Sequence, residues 1–225
     1  MSNVEVYVVV EGQTEQTFIR EMLAPVLGCQ GIYLHPVLIG KPGHKGGDIR
    51  FERAKTDIGN FLKQRANICI STMFDYFRID PDWPGRADIR DNDTAIKKAR
   101  RIEERTLSEI IKLFPNLNVS ERFIPYIQMH EFEALLFSDE SALANMIGAN
   151  TLEIAALLND CGEPEEINDN PQTAPSKRLQ YLCGKKYRKV TMGKSIADAV
   201  GIQTMRKKCP HFDGWLKRLE LLTKK

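Results

Sequence analysis

The chain has 225 residues, 42% hydrophobic and 28% charged, which excludes wholesale disorder and allows one large domain or one domain with an appendage. Its formal net charge of +2 hides a division: residues 170–225 carry 14 Lys and Arg against 3 Asp and Glu, whereas residues 1–169 carry 18 against 27. No apolar run approaches the ~18–20 residues that cross a bilayer, and no basic leader or small-residue cleavage site flanks the short apolar stretch 4–10, so neither a membrane protein nor a secretory leader is expected.

In chain order, residues 4–10 (VEVYVVV) are β-branched and brief, the pattern of a buried strand. Gly12, Gln13 and Thr14 break it, and Phe18, Ile19, Met22, Leu23, Val26 and Leu27 recur at helical spacing, with Thr14 as the expected N-cap. A second strand covers 32–39 and leads into a basic glycine loop, GKPGHKGGDIR, over 40–50. A helix is predicted over 51–65 and a third strand over 67–74. The polar stretch 75–93 is too long for a mere connector. A charged amphipathic helix is next, over 94–113, then a fourth strand over 122–128 whose Pro125 places it at an edge or bulge. Beyond 138 only helical patterns remain, over 139–147, 151–159, 175–183, 194–200, 202–208 and 211–222.

Alternating strands and helices predict a mostly parallel sheet of about four strands flanked by helices, here an α/β domain over 1–138, with a helical, basic C-terminal subdomain over 139–225. Two readings of the basic tail stand side by side: it binds an anionic partner, or it packs on the acidic front of its own chain. The five cysteines are widely spaced and form no CxxC pair, which argues against a disulfide framework or cysteine zinc site and suits a reducing cytoplasm.

The residues just past each strand point to chemistry. Glu11 and Glu15 come after the first, the glycine loop with Lys41, Lys45 and Arg50 after the second, Asp75 after the third, and His130, Glu131 and Glu133 after the fourth. Open α/β sheets bind ligands at the carboxyl ends of their strands. Gathered carboxylates repel unless they take up protons or a cation, and hard divalent ions such as Mg²⁺ or Mn²⁺ take oxygen ligands. Each residue also has a plainer role. Glu11 can interact with the next helix N-terminus, Glu15 can be a solvated helix residue, and His130 is read as an ordinary core or surface histidine. The glycine loop lacks the GxxxxGK[ST] pattern of a Walker A loop. Among the later basic residues, Lys185, Lys186, Arg188 and Lys189 surround Tyr187, a grouping suited to a phosphate backbone with a stacked base.

The segments VEGQTEQTF (10–18), MFDYF (73–77), PYIQMHEFEALLFSD (125–139), NPQTAPSKRL (170–179) and CPHFDGWLKRL (209–219) resemble a bacterial family of uncharacterised proteins, domain-of-unknown-function family 4276. That family is similar to the Toprim domains of topoisomerases, primases and the overcoming-lysogenization-defect nucleases. The resemblance implies a Toprim-like fold, in which a glutamate after the first strand and an Asp-x-Asp after a later strand bind Mg²⁺. Glu11 matches the glutamate, Glu15 the extra acidic residue one turn later, and Asp75 the first aspartate. Phe77 stands where the second aspartate belongs, with Asp80, Asp82, Glu131 or Glu133 as its replacements.

By this resemblance the chain is expected to be a metal-dependent phosphoryl-transfer enzyme, a nuclease with Glu11, Asp75 and Glu131 as metal ligands. Glu15 and Glu133 would serve as further ligands or the base. Lys177 would neutralise charge in the transition state, and Lys41, Lys45, Arg50, Arg178, Lys185, Lys186 and Lys189 would hold DNA or RNA. An ATPase partner in a phage-defence setting is implied by analogy. The alternatives are a non-catalytic docking module for such a partner and, more remotely, a small-nucleotide phosphohydrolase.

Overall fold

The structure, a computed structural model, describes residues 3–40, 49–167, 170, 172–184 and 187–224. The chain runs through β1 (Val4–Val10), α1 (Gln13–Phe18), a π-helical turn over Ile19–Leu23, α2 (Ala24–Gly28), β2 (Ile32–Leu38), α3 (Phe51–Gln64), β3 (Cys69–Asp75), α4 (Ala95–Leu113), α5 (Val119–Arg122), β4 (Phe123–Ile124) and β5 (Ile127–Gln128). Six helices complete it: α6 (Glu140–Ile147), α7 (Thr151–Cys161), α8 (Pro175–Leu182), α9 (Lys189–Val200), α10 (Ile202–Lys208) and α11 (Pro210–Glu220).

The strands lie in the order β2-β1-β3-β4, with β5 also paired to β3, and every pairing is parallel. Parallel neighbours require crossovers, and the intervening helices supply them. The β-branched residues of β1 give it both partners, and Val6, Val8, Val9 and Val10 have no exposed surface. Pro125 lies between the two halves of the fourth strand position and has no N–H to give to the ladder. The Thr72 hydroxyl spans the gap: Oγ1 donates to Tyr126 O at 2.9 Å and accepts from Tyr126 N–H at 2.9 Å. Beside it, Ser71 Oγ donates to Ile124 O at 2.6 Å.

Apolar clusters cover both faces of the sheet. One joins Val9, Ile70 and Phe74 to Ile58 of α3, Ile102 of α4 and Trp83. Trp83 donates its indole N–H to Thr106 Oγ1 at 2.8 Å, so the long segment after β3 is anchored in the core. The other joins Val6, Val8, Val10 and Met73 to Phe18, Leu23, Phe132, Leu143, Ile196, Phe212 and Trp215. Helices from both sides of residue 138 share this second core, and sequence character alone marks the boundary there.

Two local expectations change. The first helix begins at Gln13 on Gly12, not on Thr14. A Cβ at Gly12 would stand 3.0 Å from Glu15 Oε2, so glycine leaves room for Glu15 to fold back over the helix start. The helix expected from 194 begins at Lys189. Val190, Thr191 and Gly193, all modest helix formers, concealed that first turn in the sequence. Among the described residues, no helix is long and apolar enough to cross a membrane.

Candidate functional site: an acidic notch at the strand ends

The register pairs Val10 of β1 with Met73 of β3. Glu11 and Asp75 therefore lie one and two residues past the same rung of neighbouring strands, whose spacing is about 4.8 Å. Glu15 approaches from the first turn of α1, and the backbone N–H of Asp75 favours the charged form of the nearby Glu11 carboxyl. Glu131 and Glu133 arrive from the loop after β5. His130 turns that loop with φ +54 and packs its ring against Phe77 at 5.5 Å and Tyr76 at 6.1 Å. Only 2% exposed, His130 is a core residue, in keeping with the plainer of its two readings.

Burial and mutual repulsion both act on these carboxyls. Burial, then Glu15 and Glu11, push Asp75 well above the carboxylate range. Glu11 is pushed up to about 8 by burial and by Glu15, with Arg78 opposing. Burial first, then Glu133, raises Glu15; burial raises Glu133 against the pull of Lys189. Their mutual influence places Glu11, Glu15, Asp75 and Glu133 in one electrostatic unit.

Hydrogen bonds and ion pairs sort them further. Asp75 Oδ1 accepts the Phe132 N–H at 3.0 Å. Glu11 Oε1 lies 3.3 Å from Arg78 Nε, while Glu11 Oε2 is buried without a hydrogen-bond partner. Glu131 Oε2 accepts the Ser176 N–H at 2.9 Å, at the start of α8. Lys189 Nζ stands 3.2 Å from Glu133 Oε1 and 3.8 Å from Glu131 Oε1. Burial disfavours the Lys189 ammonium, but the attraction of Glu133, Glu131 and Asp75 outweighs it and raises its pKa. Tyr187 OH donates to Glu133 Oε1 at 3.3 Å, and Gly193 admits that hydroxyl, since a Cβ there would meet it at 3.2 Å.

The structure thus brings Glu11, Glu15, Asp75, Glu131 and Glu133 together and adds three residues that sequence reasoning assigned otherwise or missed. Lys189, expected on a nucleic-acid face, turns into the notch. Tyr187, expected to stack on a base, is 9% exposed, with its hydroxyl on Glu133; a buried ring cannot offer a stacking face. Arg78 was signalled only by its place three residues after Asp75. Of the replacements offered for the missing aspartate, Glu131 and Glu133 lie in the notch, whereas Asp80 accepts the Asp82 N–H at 2.9 Å and faces Arg50 at 3.9 Å.

Lys177 is exposed on the first turn of α8, next to the Ser176 that binds Glu131. Arg178 is used structurally, donating to Thr173 O at 2.8 Å and contacting Cys161 Sγ at 3.5 Å. Arg50 is exposed at the start of α3. Lys41, Lys45, Lys185 and Lys186 lie outside the described residues. Part of the tail's charge is answered within the chain, through Lys189, through Arg218 with Glu103 at 3.8 Å and through Lys208 with Glu163 at 4.0 Å.

An all-oxygen donor set suits a hard divalent cation, and the partnerless Glu11 Oε2 is an acceptor such an ion would satisfy. Among the described residues, however, no group of three or more His, Cys, Asp or Glu side chains is arranged to hold a metal ion. The fit is to an ion that keeps several waters and uses one or two carboxylates, the habit of Mg²⁺, not to a closed protein cage.

Fold and notch together define an α/β protein with a parallel sheet and an acidic carboxyl edge closed by a helical C-terminal region. The model of the family described as "Domain of unknown function (DUF4276)" matches residues 10–220, and the chain belongs to that family. No curated protein and no solved structure matches it.

Proposed function

We propose that this protein is a Toprim-like, divalent-metal-dependent phosphoryl-transfer enzyme, a nuclease acting on DNA or RNA in the cytoplasm. The adjacency of Glu11 and Asp75 at neighbouring strand ends, in a notch where buried carboxyls repel one another, carries this reading. Glu11 and Asp75 would hold Mg²⁺ or Mn²⁺, and the bound ion would polarise the phosphodiester and lower the pKa of a coordinated water. Glu15, buried beside them, accepts the proton from attacking water once the notch is ionised. Lys177, exposed next to the Glu131 loop, balances negative charge on the phosphate. Among the described residues no two cysteines form a disulfide, which suits a reducing compartment. An ATPase partner in phage defence belongs to the same proposal.

Incubation of single- and double-stranded DNA and RNA with Mn²⁺ tests the reading. Cleavage that disappears in Asp75→Ala supports it; cleavage that persists in that variant rejects the site.

A docking module for an ATPase partner is the second reading. It is favoured by Phe77 at the position of the second aspartate and by the lack, among the described residues, of a gathered metal-holding group. Calorimetric titration with Mn²⁺ separates the two, because a docking module takes up no ion at Glu11 and Asp75.

A further inference from the structure

The start of α8 and the start of α9 meet at Glu131. Its Oε2 accepts the Ser176 N–H of α8 at 2.9 Å, and its Oε1 lies 3.8 Å from the Nζ of Lys189, the first residue of α9. The residue after Ser176 is Lys177, and the residue before Lys189 is Arg188. Both are exposed, and among the described residues neither takes part in an ion pair. Two cations without a carboxylate partner therefore flank this side of the notch. One turn along α8 from Lys177 stands Tyr181, 80% exposed, the most exposed large hydrophobic side chain among the described residues. Pro175, Ser176 and Leu179 form the buried side of α8. A four-residue spacing puts Lys177 and Tyr181 together on its open side, with Cβ atoms about 5–6 Å apart.

We propose that Lys177, Tyr181 and Arg188 form a docking surface for single-stranded nucleic acid, DNA or RNA, in which Tyr181 stacks on an unpaired base while Lys177 and Arg188 hold phosphates on either side of it. This rests on the nucleic-acid substrate proposed above and names its form; the binding itself needs no metal ion. A phosphate chain is drawn to cations that no carboxylate of the protein neutralises. A phenol ring standing free on a helix stacks on a base only where the face of that base is itself free, and in a duplex the neighbouring pairs cover those faces. Tyr187, which the sequence offers for this role, is buried with its hydroxyl on Glu133, whereas Tyr181 holds its ring in solvent with a lysine one turn away. Gln180, also exposed on α8, adds an amide that can bond a base edge or a phosphate. With Lys177, Gln180 and Gly184 as its exposed neighbours along α8, Tyr181 belongs to a polar, cationic surface, which fits an anionic polymer and not the apolar face of a protein partner.

The test is fluorescence anisotropy of labelled oligothymidylate, oligouridylate and a DNA duplex with the full chain in EDTA. The wild-type protein is expected to bind the single strands more tightly than the duplex. Tyr181→Ala should weaken single-strand binding about tenfold and leave duplex binding unchanged, while Tyr181→Phe keeps the wild-type affinity. Lys177→Gln should lower the slope of log affinity against log salt by about 0.7, the share of one phosphate contact. Tyr33→Ala removes an exposed tyrosine at the opposite end of the sheet, beside Glu5, and should bind as the wild type does. The proposal is overturned by absent single-strand binding, by Tyr181→Ala binding as the wild type, or by an equal loss on the duplex or in Tyr33→Ala. Cleavage with Mn²⁺ is read separately. Binding as expected without cleavage upholds this surface and removes the nuclease function; cleavage that needs Asp75 but is indifferent to Tyr181 does the reverse.

Discussion

Trp215 of α11 donates its indole N–H to Ser71 Oγ in the middle of β3 at 2.9 Å. The same indole stacks on Tyr126 at 4.3 Å between ring centroids and 5° between planes. One side chain near the end of the chain thus closes over the central strand and the gap at Pro125. Trp215→Ala is expected to cost about 3–5 kcal/mol, the scale of emptying a large buried aromatic. Trp215→Phe loses the hydrogen bond, about 0.5–1.5 kcal/mol, plus some packing. Urea melts of both variants against the wild type give the comparison, and a Trp215→Phe midpoint equal to that of the wild type would mean that the indole N–H contributes nothing.

A fragment ending at residue 138 is expected to be unfolded or aggregated. It would present Val6, Val8, Val10, Phe18 and Phe132 without the helices that cover them. Circular dichroism and gel filtration check this, and a monomeric cooperative fragment would show the sheet to be self-sufficient.

Acid should stabilise the metal-free protein. Glu11 rises from 4.5 to about 8 in the fold, and Glu15, Asp75 and Glu133 rise with it. The native state therefore binds these protons more tightly than the unfolded chain. Their contribution is full below about pH 4.5 and is lost as pH climbs towards 8. Other groups add their own slopes, so the comparison is with Glu11→Gln, whose melting temperature should fall less between pH 5.5 and 8. If the notch holds a divalent ion as proposed, Mn²⁺ binds more tightly as pH rises over this interval and offsets the loss in the wild type.

Asp75→Asn is expected to separate stability from activity. The amide oxygen can still accept the Phe132 N–H, while repulsion from Glu15 and Glu11 disappears. Removing about 1 kcal/mol of repulsion would raise the melting temperature at pH 8 by about 2–4 °C for a chain of this size. The nuclease activity proposed above should fall by about a hundredfold or more, the scale of losing one electrostatic group at a reacting centre. A destabilised variant would place the value of Asp75 in packing.

Much of this could be read from the sequence because it lay in local pattern. The β-branched runs at 4–10 and 67–74 gave strands close to the observed limits, and Pro125 announced the break in the fourth. The carboxylates could be gathered on one edge because parallel strands deliver their ends to the same side. The partners of those carboxylates were not legible. Lys189 lies in a run of Lys and Arg that reads equally well as a solvated surface, and its helix starts on β-branched residues and a glycine that weaken the helical pattern. Tyr187 looked like a stacking platform because nothing local reveals that Gly193 makes room for its hydroxyl. The boundary at 138 followed a change in element type, whereas packing depends on which apolar faces meet.

Among the described residues, Glu131 and Glu133 meet their side-chain and backbone partners in Ser176, Tyr187 and Lys189. During synthesis Glu131 and Glu133 leave the ribosome first and remain without Lys189 until about fifty further residues have been added, each step taking about 0.05–0.2 s at ordinary elongation rates. The nascent chain therefore passes through an interval in which Glu131 and Glu133 lack Lys189, and this part of the edge is completed only once the tail has been made.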